Sequence, residues 1–143
     1  MRAGITILPQ GPTCASKIKS WIEIVLDRNG EEYVPLMDAV TNLQVEAENV
    51  VFIFARHEYY QDPPAEIIDI LLSGIGKGYA LRDGKIYEVS WRRDTVDGVL
   101  YLTLPNGAPY AFKPGNTWFQ VLGENSTILQ PGEGVWRFEF KMP

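Results

Sequence analysis

The chain's single histidine, His57, is followed at once by Glu58 and, a little further on, by Asp62. An imidazole with carboxylates at hand is the usual raw material of a general base. His57, Glu58 and Asp62 therefore form a candidate polar site at a strand end, and a hydrogen-bonded surface histidine is the plainer reading of the same residues. One His and one Cys are too few donors for a zinc site, and neither a metal nor another cofactor is expected. Cys14 would need a base and an acid close by to act as a nucleophile. Nothing ties it to His57, so it reads as a structural thiol. No long apolar run with a charged flank precedes it, so it is not read as a lipid-attachment cysteine.

Other patterns carry less chemistry. Gly74, Gly76 and Gly78 are spaced by two, and the residues after them alternate like a strand. A phosphate-cradling loop opens a helix instead, so the three glycines are expected to give curvature or close approach on one strand face. Glu31-Glu32, Glu46 and Glu48, and Asp94 and Asp97 lie beside turn signals and read as solvated acids. A glycosidase pair would have to face across a cleft. No G-x-S-x-G elbow, paired-His zinc motif or C-x-x-C occurs. Asn125-Ser126-Thr127 is a formal glycosylation acceptor, relevant only in a secreted eukaryotic protein. Trp21, Trp91, Trp118 and Trp136 all fall in strand-like runs. Most such tryptophans belong to a core. A planar platform for sugars or peptides is the functional alternative, and Trp91 and Trp118 are the candidates for it.

The elements that must hold these residues are strands. Trp136, Phe138, Phe140 and Met142 alternate with Arg137, Glu139 and Lys141, which is the pattern of a half-buried strand. Tyr87, Val89 and Trp91 likewise oppose Glu88, Ser90 and Arg92, and Ile22, Ile24 and Leu26 share a face. The run 50–54 is apolar throughout, short, and rich in β-branched and aromatic residues, which predicts a central strand buried on both faces. Further strands are expected at 99–104 and 118–122. The segment 65–72 fits either period and is taken as strand. The segment 34–40 has room for one helical turn.

Turn chemistry joins these runs. Asp83-Gly84 predicts a two-residue hairpin between 78–82 and 85–93, with Arg82 opposite Lys85, Leu81 opposite Ile86, Ala80 opposite Tyr87 and Tyr79 opposite Glu88. Asn29-Gly30, Asp97-Gly98 and Asn106-Gly107 are further turns, and 62–64 and 113–116 are loops. The expected fold class is mainly β: a single compact antiparallel domain over 1–143, barrel-like or a sandwich, of roughly eight to ten strands with little helix.

Composition narrows the function classes. A chain of 143 residues can bury a core without metal or disulfide staples. The formal net charge is −5, and the one dense basic stretch, Trp91-Arg92-Arg93, runs straight into Asp94. Such a chain lacks the footprint of a nucleic-acid binder. No run reaches the length of a membrane helix, so no membrane insertion by this chain is expected. No secretory signal is recognised, which fits a cytosolic protein or the mature or truncated piece of an exported one.

Three runs carry a resemblance: E-N-V-V-F-I-F-A-R-H (48–57), G-I-G-K-G-Y-A-L-R-D-G-K-I-Y-E-V-S-W (74–91) and L-P-N-G-A-P-Y-A-F-K-P-G-N-T-W-F-Q-V-L (104–122). In order and spacing they resemble the C-terminal domain of the YerB-like lipoproteins, a bacterial family of unknown function, over about 21–122. The middle run is the most specific. The family's N-terminal domain and lipoprotein signal are not recognised here. The resemblance implies an extracytoplasmic domain, membrane-anchored through a segment outside this sequence, and it supplies no catalytic residues. The expected role is a non-enzymatic binding module of a cell-envelope protein, its partner a protein or an envelope ligand. The alternatives are an envelope-polymer hydrolase, or an accessory domain of one, with a polar site near His57, and a purely structural domain.

Overall fold

The computed structural model describes residues 2–8, 20–27, 34–35, 37–61, 67–133 and 135–141. Cys14, Asp62, the Asn29-Gly30 turn, Glu31 and Glu32 lie outside the described residues. Within them the chain forms strands and no helix. In chain order these are β1 (Arg2–Leu8), β2 (Ser20–Asp27), β3 (Val34–Pro35), β4 (Glu46–Ala47), β5 (Asn49–Gln61), β6 (Ile67–Leu71), β7 (Gly74–Arg82), β8 (Lys85–Arg93), β9 (Tyr101–Thr103), β10 (Thr117–Gly123), β11 (Thr127–Gly132) and β12 (Val135–Phe140).

The strands make two sheets, ordered β11-β12-β1-β2-β3 with β4 beside β2, and β10-β5-β7-β8-β9 with β6 beside β5. The architecture is a mainly β sandwich, not a closed barrel. Pairing is antiparallel except where β10 runs parallel to β5, from Thr117 opposite Asn49 to Gly123 opposite Ala55. The parallel pair and the twelve strands both depart from the expected pattern. β3 and β4 are two residues each, too short to show alternation in a sequence.

β5 is the spine. Val50, Val51, Phe52, Ile53 and Phe54 are all essentially fully buried, as an all-apolar run flanked by strands on both edges must be. Its two faces feed two cores. Val50, Phe52 and Phe54 join Leu81, Leu122 and Phe138 between the sheets. There Phe138 of β12 stacks on Phe52, with ring centroids 3.6 Å apart and planes 4° from parallel. Truncating either ring to Ala should cost about 3–5 kcal/mol. Val51, Ile53 and Ala55 join Val89, Trp91, Leu102 and Tyr110 on the far face, where the loop after β9 closes over them.

The hairpin predicted at Asp83-Gly84 has the expected register from Arg82 opposite Lys85 to Tyr79 opposite Glu88, and it continues to Gly74 opposite Arg93. Asp83 and Gly84 take φ of 50° and 71°, the two positive values of a primed turn whose twist matches the strands. The segment 65–72 yields the strand β6, as expected. The segment 34–40, which has room for one helical turn, carries no helix among its described residues. Val34–Pro35 pairs with β2, Met37 bridges Gln44, and the chain reverses around Asp38. Its Oδ1 accepts from the Thr41 amide at 2.6 Å, the Thr41 hydroxyl at 2.7 Å and the Val40 amide at 3.1 Å. The Asn42 amide also donates to the Asp38 carbonyl at 2.8 Å, so a single turn of helical type, capped by the Asp38 carboxylate, closes at 38–42 and is not continued.

Candidate functional site

His57 lies in the C-terminal half of β5, where that strand exchanges β7 for β6, with Ile70 opposite it. The residue is 9% exposed, and its ring meets Phe140 edge-on at 5.8 Å. Nδ1 lies 2.9 Å from the Ala55 carbonyl oxygen. A carbonyl only accepts, so Nδ1 carries the proton and Nε2 is left with its lone pair. Glu58 does not join it: its carboxylate pairs with Arg56 at 2.7 Å. The ring instead lines a pocket of about 170 Å³ with Arg56, Gly123, Glu124, Asn125 and Lys141. Glu124 is exposed, so this is a small polar recess, and among the described residues no buried acid backs the imidazole. Among the described residues, no cluster of three or more His, Cys, Asp or Glu could hold a metal.

The tryptophans divide. Trp91 is buried, and its Nε1 donates to the Phe54 carbonyl at 2.7 Å, so it offers no face to a ligand. Trp118 is half-buried against the core between the sheets, and its Nε1 has no hydrogen-bond partner among the described residues.

A second constellation was not anticipated. The loop from Leu104 to Asn116 turns at Asn106-Gly107, where the Gly107 amide donates to the Leu104 carbonyl at 2.8 Å. It is then clasped from two sides. Asn49, fully buried at the start of β5, accepts from the Lys113 amide and donates to the Lys113 carbonyl, both at 2.9 Å. The side-chain amide thus pairs with a backbone as a strand would. Asn116 donates to the Glu46 carbonyl at 2.8 Å. From the β7–β8 turn, Asp83 pairs with Lys113 at 2.7 Å. Arg82 donates to the Ala111 carbonyl and lays its guanidinium over Tyr110 and Tyr87, 5.0 and 5.3 Å from the ring centroids.

This clasp presents a row of rings. Tyr87 meets Tyr110 at 5.7 Å, Tyr110 meets Phe112 at 5.3 Å, and Phe112 meets Phe119 of β10 at 6.2 Å. Phe112 and Phe119 are 41% and 46% exposed. Tyr110 is buried, and its hydroxyl has no partner among the described residues. Burial pushes its phenol above the ordinary tyrosine value, against the pull of Arg82. Rings held rigidly at a protein surface make contact area at low entropic cost. One sequence signal marked this place: Phe112 lies between Pro109 and Pro114, where there is no strand to bury it.

The fold and clasp define a two-sheet β domain. Asn49, Arg82, Asp83, Lys113 and Asn116 come from the three separate runs that carried the resemblance, and they meet at one loop. The chain belongs to the family described as protein of unknown function (DUF3048), C-terminal domain, which matches residues 27–119. Its fold is similar to that in the crystal structure of the YerB protein from Bacillus subtilis, with a TM-score of 0.56 and 18% identity over 94% of this chain. This chain spans 43% of that one's length. No curated protein matches it. The YerB-like reading of the three runs therefore holds.

Proposed function

We infer that this domain is a non-enzymatic binding module of a bacterial envelope lipoprotein, with the face around Phe112 and Phe119 as its contact surface. The observation that supports this is the clasp: half-exposed Phe112 stands on a loop fixed by Asn49, Asp83 and Arg82, beside half-exposed Phe119 of β10. A preorganised apolar patch of this kind loses little freedom on binding. In this reading the domain works outside the cytoplasm, held at the membrane by a lipid-modified segment elsewhere in the protein, and its partner is an envelope protein or polymer. Washed bacterial envelopes, with and without prior protease treatment, would distinguish those two partners. Retention of the domain should fall at least about tenfold, the equivalent of 1.4 kcal/mol, in the double variant Phe112→Ser, Phe119→Ser. Retention indifferent to both substitutions would remove the reading.

The hydrolase reading keeps one observation, the recess beside His57 with a bare Nε2. Release of soluble fragments from the same envelopes, abolished by His57→Gln, would favour it over binding.

A further inference from the structure

The recess at His57 is built with more care than a surface dimple requires. The β10–β11 turn closes with the Ser126 amide donating to the Gly123 carbonyl at 2.9 Å. The Ser126 hydroxyl then accepts from the Lys141 amide at 3.0 Å. Gly123 has no side chain where one is not possible: a Cβ there would lie 2.5 Å from the Lys141 carbonyl oxygen. The backbone of Lys141 is therefore fixed beside the recess, just past the end of β12. Its ammonium forms no ion pair among the described residues. The same recess is lined by an imidazole whose Nδ1 is committed to Ala55 and whose Nε2 has no partner among the described residues.

The charges around the ring nearly cancel. On β5, Arg56 is neutralised by Glu58 at 2.7 Å. β6 contributes apolar Ile70 opposite His57, and Asp69 opposite Glu58. On β12, Glu139 is engaged with the Thr127 hydroxyl at 3.2 Å. At the recess itself remain Lys141 and, on the turn, Glu124, one charge of each sign, with the neutral amide of Asn125 between them in sequence terms. A second proton on His57 tips this balance to positive and turns Nε2 from acceptor into donor.

We propose that this recess binds a small oxyanion, a carboxylate or phosphate group, between Lys141 and the doubly protonated ring of His57, with Asn125 as a further donor. At about 170 Å³ the recess is smaller than the 300–1,000 Å³ or so of drug-sized sites. It therefore takes the charged end of a ligand and not a chain of sugars. Binding strengthens as the ring takes up its second proton, which adds a positive charge and turns Nε2 into a donor. The site is independent of the aromatic face around Phe112.

His57 is the only histidine, so its ring protons report on the site without ambiguity in an NMR titration. Sulfate, a phosphate mimic whose charge is constant while the ring titrates, and acetate serve as probes, each against chloride at matched ionic strength. Either probe should shift the His57 ring signals and raise the pH of their titration midpoint. Binding should be at least about tenfold tighter on the acid side of the ring's observed titration than on the alkaline side, as a charge-assisted hydrogen bond of about 1.5–3 kcal/mol implies. A stronger response to sulfate assigns the site to phosphate groups, and a stronger one to acetate assigns it to carboxylates. Lys141→Met should abolish the response and Glu124→Gln should strengthen it. Both side chains are exposed, so neither change threatens the fold. Ring signals that ignore both anions, or a Lys141→Met variant that binds like the parent, would overturn the proposal.

Discussion

The indole of Trp91 reaches over the bare Cα of Gly76 to donate to the carbonyl of Phe54 at 2.7 Å. Gly76 is the residue opposite Trp91 in the β7–β8 ladder. The backbone pairing of β7 with β5 ends at Ile53 and Gly78. Beyond that point a side chain from the next strand over supplies a donor that the backbone no longer gives, which a buried carbonyl requires. The glycines of the G-I-G-K-G run are thus a packing device.

Gly76→Ala is expected to be the most damaging single methyl addition in β7. The new Cβ would overlap Nε1 of Trp91 and stand 2.8 Å from the Phe54 oxygen, so both ring and hydrogen bond must move. Overpacking costs about 1–3 kcal/mol, and the displaced hydrogen bond adds about 1 kcal/mol. Urea unfolding measures the sum. A loss under about 0.5 kcal/mol would mean that the ring does not sit over Gly76. At Gly78 the neighbours are instead Val89 and the Phe52 carbonyl.

Gly84→Val should lower stability by about 1–2 kcal/mol, because φ of 71° at this position places a branched Cβ against its own backbone. The loss should be reproduced largely by Gly84→Ala. A valine variant as stable as the parent would show that the turn can take another form.

Asn49→Ala should cost more than either glycine change at the turn. It removes both bonds to Lys113 and leaves that residue's amide and carbonyl searching for partners, at about 1–3 kcal/mol for each buried group left unpaired. The structural signature should be local. Hydrogen exchange at Lys113 should accelerate far more than exchange in β8, and the near-ultraviolet circular dichroism of the Tyr110–Phe119 row should weaken. Uniform acceleration through both sheets would place Asn49 in the global core instead of the clasp.

What was legible in the sequence was local. The Asp83-Gly84 hairpin carried its own register because its turn chemistry is set by two adjacent residues. The apolar run at 50–54 announced burial on both faces because no alternation was left to read. The clasp was hidden for the opposite reason. Asn49 meets Lys113 sixty-four positions away, and a side-chain amide paired with a distant backbone leaves no period in the sequence. The same holds for the parallel pairing of β10 with β5 and for the recess, where His57 meets Glu124, Asn125 and Lys141 instead of Glu58.

The basic stretch at Arg92-Arg93 should not bind nucleic acid. Arg92 pairs with Asp94 at 2.8 Å, and Arg93 donates to the Gly98 carbonyl at 2.9 Å and to the Val96 carbonyl. Both guanidinium groups are engaged locally, on a chain of net charge −5. Fluorescence anisotropy with labelled DNA or RNA should show no binding that weakens with salt. A micromolar, steeply salt-dependent complex would contradict this.

Alkaline pH should weaken the fold through buried phenols, and Tyr110 is the one to test. Its phenol is raised above the ordinary value, chiefly by burial, with Arg82 opposing, and Tyr79 is raised by burial and by Glu88. In the unfolded chain a tyrosine loses its proton near about pH 10, while in the folded chain it holds on longer. The stability that this difference contributes is fully present below the unfolded value and is lost as the pH rises through the folded one. Tyr110→Phe cannot ionise, so its stability should fall less steeply than the parent's above about pH 10. At neutral pH the same variant tests the hydroxyl itself, which has no partner among the described residues. Removing an unpartnered buried hydroxyl should leave stability unchanged or raise it by up to about 1 kcal/mol. Urea unfolding at the two pH values separates the effects. A neutral-pH loss above about 1 kcal/mol would show that the hydroxyl is bonded after all, and with it the row of rings would rest on a contact that this structure does not contain.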